Sequence, residues 1–67
     1  MSVYKVIELV GTSEVSWEDA AKQAISVANK SLRDLRIAEI SKLDVRLDEG
    51  EIVEYRVRVK VSFKYED

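Results

Sequence analysis

The side chains that most often perform catalysis are missing from this 67-residue chain. It contains no histidine and no cysteine, which removes the usual nucleophile–base pairs and the usual ligands of zinc, haem and copper. One acid–base candidate remains, Glu39 beside Lys60, if the strand register given below is correct. Such a cross-strand pair more often only stabilises a sheet, by about 0.2–1 kcal/mol. The sequence therefore predicts that the protein is not an enzyme.

A basic stripe runs along the last quarter of the chain, at Arg56, Arg58, Lys60 and Lys64. On a β-strand these side chains share one face, which suggests nucleic-acid binding. Proteins that bind single strands place aromatic rings on that same face, whereas the alternation here puts the rings on the opposite one, at Tyr55, Phe63 and Tyr65. The formal net charge is also −2. We therefore predict that the stripe pairs with acidic neighbours or lines a subunit interface, without binding nucleic acid.

Carboxylates are concentrated around the segment Asp48-Glu49-Gly50-Glu51, with Asp44 and Glu54 beside it. Carboxylate oxygens are the ligands that hard cations such as calcium prefer. The segment lacks the ordered ligand positions of an EF-hand loop, and a charged hairpin tip is more often only solvated. A cation site and a solvated loop therefore both remain open.

Three segments have the composition and alternation of β-strands: Tyr4–Val10 ending at Gly11-Thr12-Ser13, Leu35–Leu47, and Ile52–Tyr65. The last of them alternates almost without exception, which suits the centre of a sheet. Pairing Leu47 with Ile52 across the hairpin loop predicts three opposite pairs on the sheet face turned away from the helix. They are Ile37 with Ser62, Glu39 with Lys60, and Ser41 with Arg58.

One amphipathic helix separates the first two strands. Ser16 is the predicted N-cap, and Asp19 is placed to return a bond and complete a capping box. The apolar positions repeat at helical spacing from Trp17 for about four turns, to an end near Arg33-Asp34. Most of these positions are alanine, so a sheet can approach the helix closely.

The order strand, helix, strand, strand predicts an α+β fold, with a three-stranded antiparallel sheet wrapped on one helix in a single domain, residues 1–67. A chain of this size buries only about 60% of its unfolded surface. Without disulfides or a structural metal, self-association is the remaining common route to stability. No segment has the features of a signal peptide or a membrane span, so a cytoplasmic protein without a membrane partner is expected.

Four segments, in this order and spacing, carry a resemblance to a known family: SVYKVIELVGTS (Ser2–Ser13), SWEDA (Ser16–Ala20), SLRDLR (Ser31–Arg36) and EYRVRVKVSFK (Glu54–Lys64). Over nearly its whole length the chain resembles the dodecins. The resemblance implies a β-α-β-β protomer assembled as a hollow homododecamer. It also implies a non-catalytic protein that stores a flavin, FMN or riboflavin.

The resemblance implies a ligand site at Ile37 and Arg56, and the predicted register adds Glu39 and Arg58 on the same sheet face. In the flavin binders a tryptophan stacks on the flavin ring and a glutamine hydrogen-bonds to it, and Ile37 and Arg56 occupy those two positions here. Ile37 has no π surface, so stacking worth about 1–3 kcal/mol per ring is lost. A guanidinium cannot reproduce the donor-plus-acceptor edge of an amide. Typical flavin stacking is therefore not expected.

Both departures make the chain similar to a second branch, the calcium-binding dodecin-like proteins. That branch also lacks the tryptophan and has an arginine at the position of Arg56. The similarity implies calcium ligands at Glu8, Asp44 and Asp48, which symmetry axes could assemble from several subunits. Three hypotheses therefore remain: flavin storage, binding of calcium or another ion, and a shell without a ligand.

Overall fold

The computed structural model describes residues 2–65, which form β1 (Tyr4–Ser13), α1 (Trp17–Ser31), β2 (Leu35–Asp48) and β3 (Glu51–Lys64). The strand order is β1-β3-β2, and both strand pairs are antiparallel. The predicted α+β topology, with the last strand in the centre, is confirmed. Within residues 2–65, no helical segment has the length and hydrophobicity that a bilayer span requires.

Helix α1 begins with the predicted N-cap, since Ser16 Oγ accepts a hydrogen bond from the Asp19 N–H at 3.0 Å. The predicted return hydrogen bond, from the Ser16 N–H to the Asp19 carboxylate, is wrong. Its carboxylate instead accepts from Ser13 Oγ at 2.6 Å, and Ser13 Oγ accepts from the Val15 N–H at 2.9 Å. The buried serine thus ties the end of β1 to the first turn of the helix.

Helix α1 ends at Ser31, two residues before the predicted end. Leu32 is already extended, with φ −119° and ψ 148°, and its N–H bonds to the Ala28 carbonyl. Asp34 then takes a positive φ of 56°, which aspartate tolerates better than most residues. These two residues turn the chain into β2, and no glycine is needed.

The core lies between the alanine face of α1 and the central strand. Ala20 and Ala24 pack with Val57, Val59 and Val61, and all five side chains are buried. Alternation along β3 therefore turns Arg56, Arg58, Lys60 and Ser62 to the other side of the sheet. We call that side the open sheet face, because α1 does not cover it.

Strand β1 does not end at Gly11, as the sequence suggested. It continues through Ser13, with Gly11 opposite Val57 and Ser13 opposite Tyr55. Glycine serves another purpose here, since a Cβ at Gly11 would lie 2.3 Å from the Ala20 carbonyl oxygen and 2.9 Å from Ala24 Cβ. Its missing side chain is what lets the helix backbone approach the sheet.

The predicted β2–β3 register is correct at Leu47–Ile52, Ile37–Ser62 and Glu39–Lys60, and wrong by one residue in between. The pairing shifts between Ile40 and Lys42, so that Lys42, and not Ser41, lies opposite Arg58. A second shift near the hairpin restores the register. The first of these two β-bulges is marked in the sequence, because the apolar positions that face the helix change from Ala38 and Ile40 to Leu43 and Val45.

The hairpin turn is tighter than the predicted four-residue loop, because Asp48 already pairs with Glu51. Its two central residues, Glu49 and Gly50, have φ values of 50° and 79°. Two successive positive φ angles are typical of a type I′ turn, which favours asparagine or glycine at the first of them. Glu49 is therefore in an unfavourable backbone conformation.

We expect Gly11→Ala to lower the free energy of unfolding by about 1–3 kcal/mol, because the new methyl group meets helix backbone that cannot move aside. Chemical denaturation at fixed protein concentration measures this change. Thr12→Ala, at the exposed neighbouring position, is the matched control and should change little. Equal stability of the two variants would contradict the close approach.

We expect Glu49→Asn to raise the free energy of unfolding by about 0.5–1 kcal/mol, because asparagine relieves the positive φ. Glu51→Gln removes the same charge at a position beside the turn and separates this gain from reduced charge repulsion. If both variants gain equally in thermal denaturation, then charge, and not backbone conformation, is responsible.

Candidate functional site

The open sheet face carries its side chains in cross-strand rows. From the hairpin end these rows are Thr12–Arg56–Asp44, Val10–Arg58–Lys42, Glu8–Lys60–Glu39 and Val6–Ser62–Ile37. Exposed apolar side chains lie at both margins, with Val6 58% and Ile37 68% exposed. Charged side chains fill the central strand and also lie on the outer strands, at Glu8, Glu39, Lys42 and Asp44. This combination of exposed apolar and charged side chains is available for contacts with another molecule.

The four predicted ligand-binding residues share this face, as expected, but they do not form one pocket within a protomer. Ile37 lies opposite Ser62, whereas Arg56 lies six residues further along β3. At about 3.4 Å per residue, roughly 20 Å separates their rows. Glu39 and Arg58 lie between them. A ligand that touches both Ile37 and Arg56 therefore needs a second copy of the chain to bring them together.

The predicted acid–base pair, Glu39 with Lys60, is present in the register but remains open to solvent. On the other side of Lys60 lies Glu8, so one ammonium group is flanked by two carboxylates. The arrangement is that of a surface charge row.

Asp44 has the most fixed environment of the predicted site residues. Arg56 Nε donates to Asp44 Oδ1 at 2.9 Å, with the two side chains 36% and 54% exposed. The indole Nε1 of Trp17 donates to the Asp44 carbonyl oxygen at 3.0 Å. The Trp17 ring meets Tyr55 edge-on, with centroids 5.1 Å apart. The sequence did not predict the pairing of Asp44 with Arg56, since it depends on the unpredicted bulge at Ser41.

The three predicted calcium ligands are far apart in the protomer. Glu8 lies opposite Lys60 and Asp44 opposite Arg56, four residues or roughly 13 Å apart along β3. Asp48 lies at the end of the hairpin. Between residues 2 and 65 no three acidic, histidine or cysteine side chains form a group that could hold a metal ion. The donors suit calcium, but calcium takes six to eight oxygens, and one protomer does not supply them at one point.

An apolar groove lies on the opposite side of the sheet, between α1 and β2. It has a volume of about 370 Å³ and is lined mainly by Trp17, Ala21, Ile40, Leu43 and Val57. Ile40 and Leu43 are exposed, as are many other large apolar side chains in the described part of the chain. So much uncovered apolar surface is unusual for a soluble monomer and is typical of an interaction surface.

Comparison with known proteins identifies relatives over nearly the full length. The family model described as Dodecin matches residues 3–66. The calcium dodecin of Mycobacterium tuberculosis is 45% identical over 64 residues, which cover 96% of this chain and 90% of that protein. The dodecin of Thermus thermophilus is 40% identical over 65 residues, covering 97% of this chain and 94% of that protein.

The fold agrees with a solved structure of the mycobacterial protein, described as a calcium-chelating immunodominant antigen with a novel calcium-binding site. The two superpose with a TM-score of 0.87 at 43% identity, covering 97% of this chain and 93% of that one. The family match, the sequence identity and the shared β-α-β-β topology all agree, and the chain belongs to the dodecin family.

Proposed function

We propose that this chain assembles into a hollow homododecamer that binds a small ligand without catalysing a reaction, and that its ligand is calcium. One observation carries the choice of calcium. On the sheet, exposed carboxylates lie on the outer strands at Glu8, Glu39 and Asp44 and at the hairpin end at Asp48, Glu49 and Glu51. Carboxylates placed at the margins of a protomer can meet those of neighbouring copies and complete a calcium coordination sphere.

Two further observations support this proposal. The chain is 45% identical to a protein named calcium dodecin, and a solved structure of that protein is described as having a calcium-binding site. At the position where the resemblance implies a stacking tryptophan, this chain has Ile37. A site without an aromatic platform favours a ligand that needs none.

Self-association follows from the distribution of apolar surface. The buried core consists of small side chains only, alanines and valines. Larger apolar side chains remain exposed on both sides of the sheet, Ile37 on the open sheet face and Ile40 and Leu43 on the helix side. Contacts between copies would remove this surface from water, at about 25 cal/mol per Å² of apolar area.

Flavin, as FMN or riboflavin, is the second candidate ligand. It is favoured by one feature of the open sheet face, where the exposed apolar side chain of Ile37 shares a surface with the guanidinium groups of Arg56 and Arg58. A guanidinium plane can stack on a flat ring or bind a phosphate. The missing tryptophan makes this binding weaker than in a protein with a full stacking platform.

We expect calcium to raise the thermal stability of the assembled protein, and excess chelator to reverse the effect. A ligand present at a hundred times its dissociation constant adds about 2.7 kcal/mol. Asp44→Asn should remove most of the gain. Glu54→Gln, which removes a carboxylate from the neighbouring ion pair with Arg46, should keep it. Thermal denaturation with calcium, with magnesium and with chelator measures the difference.

Light scattering on the same samples tests the assembly, for which a mass of twelve 7.7 kDa chains is expected. A stable monomer would contradict the shell. A dodecamer with the same melting temperature in calcium and in chelator would contradict calcium as the ligand.

We expect Ile37→Trp to tighten riboflavin binding by roughly 5- to 150-fold, because a restored ring supplies about 1–3 kcal/mol of stacking. Quenching of riboflavin fluorescence measures the affinity. Ile37→Leu is the matched control, an apolar side chain of equal size without a ring. Tight binding by the unchanged protein would instead make flavin the natural ligand.

A further inference from the structure

Several contacts fix the backbone around Asp44. The bulge at Ser41 shifts β2 by one residue, and Ser41 Oγ donates to the Arg58 carbonyl at 3.1 Å. The shift brings Asp44 opposite Arg56, on the open sheet face. The Trp17 indole then donates to the Asp44 carbonyl oxygen. The backbone position of Asp44 therefore does not depend on its ion pair.

The ion pair itself acts on the carboxylate. Arg56 Nε lies 2.9 Å from Asp44 Oδ1, at hydrogen-bonding distance for a charged pair. Because the side chain of Asp44 is 54% exposed, solvent and other cations still reach it. The Arg56 guanidinium neutralises the Asp44 charge to which a cation would bind, and its hydrogen bond occupies one of the two carboxylate oxygens. Since Trp17 and the β2–β3 pairing hold the backbone, removal of Arg56 should leave the carboxylate in place and unpaired.

We propose that Arg56 is a built-in counterion that competes with calcium for Asp44 and thereby sets the calcium affinity of the assembly. This inference rests on the proposed calcium-binding function. When a divalent cation binds Asp44, Arg56 loses its partner and its guanidinium turns to solvent or to an anion beside Arg58, the next basic residue on the same face of β3. Calcium binding thus exchanges one ion pair for another, and the cost of releasing Arg56 lowers the affinity.

The neighbouring pair, Arg46 with Glu54, provides a matched control. It joins the same two strands, two residues nearer the hairpin turn, with an Nε–Oε1 distance of 3.4 Å. Arg46→Gln and Arg56→Gln remove the same charge from the same region. Only Arg56→Gln frees Asp44. A general increase in negative potential affects both variants, so the difference between them isolates direct competition.

The experiment is a calcium titration by calorimetry on chelator-treated protein, with the emission of Trp17 as a second readout. Trp17 is the single tryptophan of the chain and bonds to the Asp44 backbone. We expect Arg56→Gln to bind calcium about 1.4- to 5-fold more tightly than Arg46→Gln, as a partly exposed ion pair of about 0.2–1 kcal/mol implies. Asp44→Asn combined with Arg56→Gln should abolish the gain. Circular dichroism and light scattering verify fold and mass.

The calcium affinities of the variants test the competition and the proposed function separately. If the unchanged protein binds calcium and Arg56→Gln binds no more tightly than Arg46→Gln, the competition is refuted and the proposed function stands. If calcium binds only to Arg56→Gln, the counterion role is supported and calcium binding by the natural chain is refuted. A gain that survives Asp44→Asn also refutes the inference, and no calcium binding by any variant refutes both.

Discussion

Helix α1 packs directly against the sheet at Gly11, and the composition of the core follows from this close approach. Gly11 and the alanine face of the helix allow it, because a single Cβ at Gly11 would collide with the helix backbone. The resulting core is thin and contains only alanine and valine among its fully buried apolar side chains. A core of small side chains contributes little burial per residue, so a chain of this length gains much of its stability elsewhere.

The long β2–β3 hairpin extends beyond that thin core. Its fourteen-residue strands are too long for the fifteen-residue helix to cover, since a strand rises more than twice as far per residue as a helix does. Ile40 and Leu43 flank the groove beside Trp17 and remain exposed. Contacts between copies, as proposed here, would cover this surface, and they would also bring together carboxylates that lie far apart in one protomer.

A bulge decides the chemistry of the open sheet face. Without the shift at Ser41, Asp44 would lie on the helix side of the sheet, away from Arg56. With it, Asp44 is paired through its side chain and held through its backbone. Arg56 at this position affects both candidate ligands. It cannot offer an amide edge to a flavin, and it neutralises the Asp44 carboxylate that is proposed to bind a cation.

Local patterns were sufficient for much of the fold. The N-cap at Ser16, the alternation of β3 and the central place of that strand all follow from interactions among near neighbours or from a single repeating period. The continuation of β1 through Gly11 and the left-handed Asp34 were not predictable in this way. Each of them depends on what the packed helix and the partner strand require. For the candidate site, the residue types, the common face of Ile37 and Arg56 and their separation along β3 all follow from the sequence and its predicted register. That Asp44 meets Arg56 follows only from the folded hairpin, because strand register is a property of two strands together.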